Sequence, residues 1–394
     1  MSYLNFFIKR VFKSTLTLLM TGTILMLFIF ILAMNIRTYR SFSIASNAND
    51  NLQIAKRLRA ASKNDLSVYD KNSDRYESAL GNYHDAQASI EKNTKLIDAL
   101  HAGRYQEAYA VALSQTDASL KMAKGDPATT PDLLTGLKRE QLRLKALAKA
   151  DLPEQSSTYP VDGLGFVANL LRYIAPVVFC VLVIFLLSQV FSERYREGID
   201  IGAVFPFRIL SLSAVDSLAG VLVCVGLVVA MIGLVLGLAT IISGFGHWSY
   251  PMFRYHSGTS KMEYVSTGTI ILQQLPISLL YLVFLVLSCE VIAIMAKNRF
   301  VTLFVALVVL IGLPLGTWLV VPLQSIAHIV PTTYLFSELT VTGELANSFH
   351  NSRVCLTSGL IVLLGSILIL AVLIVALGQK KKKFQSEASR IVSK

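Results

Sequence analysis

Residues 269–322 read TIILQQLPISLLYLVFLVLSCEVIAIM, then AKNR, then FVTLFVALVVLIGLPLGTWLVVP. The two runs on either side of Ala296-Lys297-Asn298-Arg299 hold a single charged residue, Glu290. A helix needs about 20 apolar residues to cross a hydrocarbon core of roughly 30 Å, and each run is long enough. Within lipid the backbone must satisfy its own hydrogen bonds, so such runs are helical. The short basic turn between them makes them an antiparallel pair.

Four further runs of this kind lie on either side of that pair. The expected spans are 14–36, 165–191, 212–243, 269–295, 300–322 and 354–377. The expected fold class is all-α: a polytopic membrane protein with about six transmembrane helices and a helical extracytoplasmic domain at 37–164, between the first two. The chain has 394 residues, 54% of them hydrophobic and only 15% charged, against about 25% charged in soluble domains. The deficit is concentrated in the six runs. A cleaved signal peptide is disfavoured for the first run, which is too long for an h-region and lacks a small-residue cleavage site at Asn35-Ile36-Arg37.

Charge orients the bundle. The net charge is +11, yet residues 36–165 hold 18 Lys and Arg against 16 Asp and Glu. Most of the surplus therefore flanks spans. Lys9, Arg10 and Lys13 precede the first; Arg194, Arg196 and Arg208 follow the second. Lys297 and Arg299 separate the fourth and fifth, and Lys380 to Lys383 follow the last. Six spans put these four segments on one side, which the positive-inside rule makes the cytoplasm, with both termini there. The segment at 1–13, the loop at 192–211 and the tail at 378–394 are then cytoplasmic, and the loops at 244–268 and 323–353 external. A topology signal accounts for the basicity better than nucleic-acid binding does, so no nucleic-acid partner is expected and membrane lipids are.

The 37–164 block lacks strand alternation. Leu52, Ile54, Leu58 and Ala61 recur at helical spacing, as do Tyr76, Leu80 and Tyr83, and helices are expected over 90–100, 105–122 and 133–150. Gly103 and Lys124-Gly125-Asp126-Pro127 break them, and Pro153 and Pro160 mark the return to the membrane. Gly103–Ala108 is similar to the turn of a tetratricopeptide unit, but nothing recurs at its period, so a helical hairpin or small bundle is expected. None of the four cysteines, Cys180, Cys224, Cys289 and Cys355, falls in this block, so neither a disulfide nor a cysteine zinc site holds it.

No catalytic constellation is present in the sequence. There is no Gly-rich phosphate loop with a lysine and no His-Glu-x-x-His, so no enzyme activity, cofactor or metal is expected of this chain. Two residues stand out inside spans, where charge is costly: Asp216 and Glu290, both near the cytoplasmic ends. Each fits a substrate-pathway charge or an inter-span contact, and each also fits snorkelling to headgroups or pairing with a nearby arginine. Gly233 and Gly237, and Gly312 and Gly316, are small-residue pairs that permit close helix contact. Pro276, Pro314 and Pro322 are expected to bend the fourth and fifth spans.

The loop at 192–208 mixes charges with Tyr195, Ile199, Val204, Phe205 and Phe207. A short helix lying flat on the surface fits this pattern, as does a plain interfacial linker. Glu193, Glu197, Gly198 and Pro206 match, by type and order, the coupling helix of ABC-2 type transporter permeases, and with these residues the chain resembles that family. The segment 3–12, the large insertion after the first span, and Val330-Pro331-Thr332-Thr333-Tyr334 with Val341-Thr342-Gly343-Glu344 agree. Asp216 departs from a Lys or Arg common early in the third span.

The resemblance implies the membrane subunit of an exporter, working as a permease homodimer or heterodimer with an ABC ATPase subunit. ATP and Mg would be held by that partner and not by this chain. Glu193, Glu197, Gly198, Phe205 and Pro206 become candidates for contact with it. A Gram-positive plasma membrane, and a peptide substrate such as a bacteriocin or lantibiotic, are implied likewise. A peptide-sensing or immunity protein without transport is the alternative.

Overall fold

The computed structural model describes residues 8, 11, 13–39, 41–156, 158–193, 195–196, 199–200, 209–256 and 261–392. Among them are six helices long and apolar enough to cross a membrane. They are α1 (Thr15–Tyr39), α6 (Gly163–Ser192), α7 (Ile209–Ser243), α8 (Thr267–Ala296), the broken helix opening with α9 (Arg299–Leu307), and α14 (Leu356–Val392). Each of the six expected runs falls on one of them.

Capping fixes where several begin. The Asp162 side chain accepts from the Gly165 N–H, Ser266 from Thr269, and Asn298 from Phe300 and Val301. Each satisfies N–H groups that the first helical turn leaves orphaned. Lys297 closes α8 in the left-handed conformation at φ 49°, so the reversal into α9 takes only two residues, Lys297 and Asn298.

The fifth span is broken where its prolines fall. A π-helical turn, Val308–Gly312, precedes α10 (Leu313–Leu319), and the chain turns extended at Val320 before α11 (Val321–Ile326). Proline lacks an N–H and its ring clashes with the carbonyl four residues back; a π turn relieves both. Pro276 lies within α8, and so does Pro176 within α6. Two 3-10 turns, Ala327–Ile329 and Pro331–Leu335, lead to α12 (Ser337–Val341) and α13 (Glu344–Ser348).

Burial ranks the spans. Much of α6 is buried, including an unbroken run from Leu186 to Ser192, and α8 is next; both pack on several neighbours. By contrast α1, α7 and α14 expose Leu19, Met26 and Phe30, Leu218, Val229 and Ile241, and Leu364, Leu368 and Val372. Faces that apolar are stable only against lipid or another apolar surface. Among the described residues neither small-residue pair makes a close contact: a Cβ at Gly233, Gly237, Gly312 or Gly316 would meet nothing within 4 Å. The close approach in the third span is at Gly220, whose Cβ would lie 3.1 Å from Val286 and 3.3 Å from Phe191.

The block after α1 folds as α2 (Ile44–Val68), α3 (Asp74–His101), α4 (Tyr105–Gly125) and α5 (Pro131–Ala150). The separate stretches expected at 76–83 and 90–100 are one helix, α3. Gly103, at φ +70°, turns the chain into α4. The contacts are small: Ala55, Ala79 and Ala86 are buried, and Ala48, Ala99, Ala108 and Ala112 are buried in one cluster with Tyr109.

Two departures from an all-α chain are present. Within the stretch expected as plain loop, β3 (Pro251–Tyr255) and β4 (Met262–Ser266) pair antiparallel, from Pro251↔Ser266 to Tyr255↔Met262. The inward Phe253 of β3 is buried and carries the Arg139 guanidinium 3.9 Å above its ring. The loop after α6, expected as a short surface helix or a plain interfacial linker, contains β1 (Tyr195–Arg196) and β2 (Ile199–Asp200), paired antiparallel. Tyr195 and Ile199, cited for an amphipathic helix, are strand residues here.

Candidate functional site: polar clusters at the two ends of the bundle

One end of the bundle gathers the basic segments. The Ser14 hydroxyl donates to the Gln189 side-chain amide oxygen at 3.5 Å, bringing the start of α1 to the last turn of α6. The Ser192 hydroxyl donates to Thr302 at 3.2 Å, tying the end of α6 to the start of α9. Ser213 and Ser217, one turn apart near the start of α7, both donate to the Glu290 carboxylate of α8. Ile374 of α14 packs on Leu287 and Val291. Lys13, Lys297 and Arg299 are therefore at the same end.

Both charges singled out inside spans lie there and are buried, Glu290 at 3% exposure and Asp216 at 7%. For Glu290 the inter-span contact is what the geometry shows: two hydroxyls of α7 reach its oxygens. These two hydrogen bonds hold α7 and α8 together where lipid would otherwise reject an unpaired polar group. Asp216 sits on the same turns of α7. Glu193 caps the end of α6, its N–H bonded to the Gln189 carbonyl at 3.1 Å, with its side chain exposed. Glu197, Gly198, Phe205 and Pro206 lie outside the described residues.

The opposite end carries the helical domain. Asn35 of α1 donates to the Pro160 carbonyl at 3.0 Å, and Gly163 and Leu164 donate backbone N–H groups to Gly244 and Phe245. Arg143 of α5 and Glu154 form a half-buried pair at 2.6 Å, and the Ile44 N–H donates to the same carboxylate. Tyr39 donates to the Glu154 carbonyl, and Tyr109 to the Leu152 carbonyl at 2.7 Å. The Tyr250 hydroxyl, next to β3, donates to the Gln155 carbonyl and accepts from its N–H. Burial raises the Glu154 carboxyl above its usual range, with Arg143 and the Ile44 N–H opposing. Domain, β3–β4 pair and spans thus meet in one hydrogen-bonded joint.

A second cluster at this end was not legible from spacing. Arg172 of α6 donates to Glu344 of α13 and lies 3.7 Å from Glu338 of α12. Glu338 is 1% exposed. Burial pushes its carboxyl up to about 8; Arg172 opposes and the Glu344 charge adds to the rise. Ser278 of α8 and Ser337 share a hydrogen bond at 2.8 Å. The one sequence signal for Glu338 was a lone acid within the apolar stretch Tyr334–Val341.

Compared with known proteins, the chain matches no family model, no curated protein and no solved structure. What is shown is a mainly helical chain with six helices that fit a multi-pass membrane protein.

Proposed function

We propose that this chain is the membrane subunit of an ATP-driven exporter, forming a substrate path and coupling to a separate ATPase through residues 193–208. The observation that carries the reading is the position of α6. It is the most buried of the six spans. It ends at Glu193, where the loop resembling a coupling segment begins, and it carries Arg172 of the far cluster near its other end. Its last turn is tied to α1 and α9 through Gln189 and Ser192. A push on the loop would therefore pass into a packed helix and not dissipate in a tether.

In this reading the basic end faces the cytoplasm, the 37–164 domain stands outside, and a permease pair shares the apolar faces of the peripheral spans. A peptide such as a bacteriocin or lantibiotic is the proposed substrate. The test is co-expression with a P-loop ATPase encoded beside this chain, followed by co-purification and ATPase assay in nanodiscs. Wild type should stimulate hydrolysis, and Glu197→Lys should abolish stimulation while the chain stays folded. An unaltered assembly with full activity would remove 193–208 as the contact. Peptide binding by the chain with no ATPase recovered would favour the sensing or immunity reading.

A further inference from the structure

The loop between the fifth and sixth spans folds inward. Thr332, Thr333, Ser337, Glu338, Thr340 and Thr342 are all buried in it. Most buried polar atoms in proteins are hydrogen-bonded, yet several here are not. Among the described residues, both Glu338 oxygens, the Thr332 and Thr333 hydroxyls, the Gln274 side-chain oxygen and Arg172 Nε have no hydrogen-bond partner. They come from elements that pack together: the Pro331–Leu335 turn and α12 both lie on α8, and α12 also contacts α6.

Arg172 has two carboxylates within reach and hydrogen-bonds one. It donates to Glu344, and its nearest approach to Glu338 is the 3.7 Å gap, too long for a hydrogen bond. A buried carboxylate with no hydrogen bond is among the most costly groups a protein can hold. A neutral carboxylic acid carries no such charge penalty.

We propose that Glu338 is a proton-binding site: its carboxyl exchanges a proton with the aqueous phase and, on ionising, draws Arg172 away from Glu344, loosening the loop. The O–H bond of the acid breaks, the proton leaves to water, and the carboxylate takes the guanidinium as its counter-charge. The charged groups facing Glu338 are few. Arg172 comes from α6 and Glu344 from α13; α8 contributes the uncharged Ser278, bonded to Ser337, and the first turns of α14 hold no ionisable group. The direction of the carboxyl's displacement, upward by burial and by Glu344, agrees with this geometry. The inference does not rest on the exporter reading; it holds for any protein that moves this loop.

The experiment is infrared difference spectroscopy on the full chain in nanodiscs across a pH series, with hydrogen exchange of residues 336–349 followed in parallel. Wild type should show a protonated-carboxyl C=O band that titrates near 8, with exchange rising beyond its chemical pH dependence over the same range. Glu338→Gln, isosteric with the neutral acid, should lack the band and the extra rise. Glu344→Gln removes both the repelling charge and the competitor for Arg172, so it should move the midpoint down. A band absent from wild type at neutral pH, or retained in Glu338→Gln, overturns the proposal. So does a midpoint unmoved in Glu344→Gln. Misfolding of Glu338→Gln would also count against it, because the amide reproduces the proposed resting state.

Discussion

Arg172 and Glu338 place one positive and one proton-dependent charge where the fold gives them almost no water. With Glu338 neutral, the ionic partner of Arg172 is the partly exposed Glu344, and hydrogen bonds to charged groups contribute about 1.5–3 kcal/mol. Arg172→Ala should lose about that much in denaturant unfolding of the detergent-solubilised chain, and Arg172→Lys should recover only part, since an ammonium lacks the planar fork. The carboxyl of Glu338 is held near 8 in the folded chain, against about 4.3 for an unperturbed glutamate. Between those values the unfolded chain has released the proton and the folded chain keeps it. This part of the stability is full below the lower value, falls as pH rises, and is lost above the upper one. Thermal unfolding should show that decline in wild type, and Glu338→Gln should flatten it.

Contacts between elements depend on a few tight points. Gly359 lets α14 pass Tyr334, whose ring atoms would lie 2.8 and 2.9 Å from a Cβ there. Tyr334 is fully buried and its hydroxyl is bonded to the His328 carbonyl at 2.7 Å, so it has little room to yield. Gly359→Val should cost about 1–3 kcal/mol by overpacking, read as a lower detergent unfolding midpoint. Between the domain and the β3–β4 pair the tight point is Tyr250. Tyr250→Phe leaves the Gln155 N–H and carbonyl without their shared partner, a loss of about 1–3 kcal/mol if water does not replace it. Hydrogen exchange should then quicken in 151–156 and in the β3–β4 pair while the spans stay protected.

For the molecule as a whole, the alternation of six helices separates a basic end from an end that carries the domain. The orientation proposed above is testable with cysteines, because Cys180, Cys224 and Cys289 are buried. In a Cys355→Ser background, Ser67→Cys on the domain should react with a membrane-impermeant maleimide on intact cells. Arg299→Cys at the basic turn should react only after lysis. The reverse pattern would invert the assignment of sides.

The sequence alone determined the spans, because a lipid core demands apolar length and self-satisfied backbone, and both are properties of a continuous stretch. Residues 269–322 carried that reading, and the helices of the polar block followed from spacing and from breakers such as Gly103. Asp216 and Glu290 were legible as exceptions, being charges inside such runs. Which hydroxyls reach Glu290 was not, since Ser213 and Ser217 lie over seventy residues away in the chain. The β3–β4 pair escaped for a related reason: its strands are short, and Phe253 and Tyr264 gain their value only by packing on α5. Glu338 shows the limit most clearly. Its sequence neighbours mark a loop, and only the folding of that loop against α6 and α8 removes water and brings Arg172 near. Burial and long-range pairing are products of topology, so the proton-binding site belongs to the tertiary structure and the six spans to the sequence.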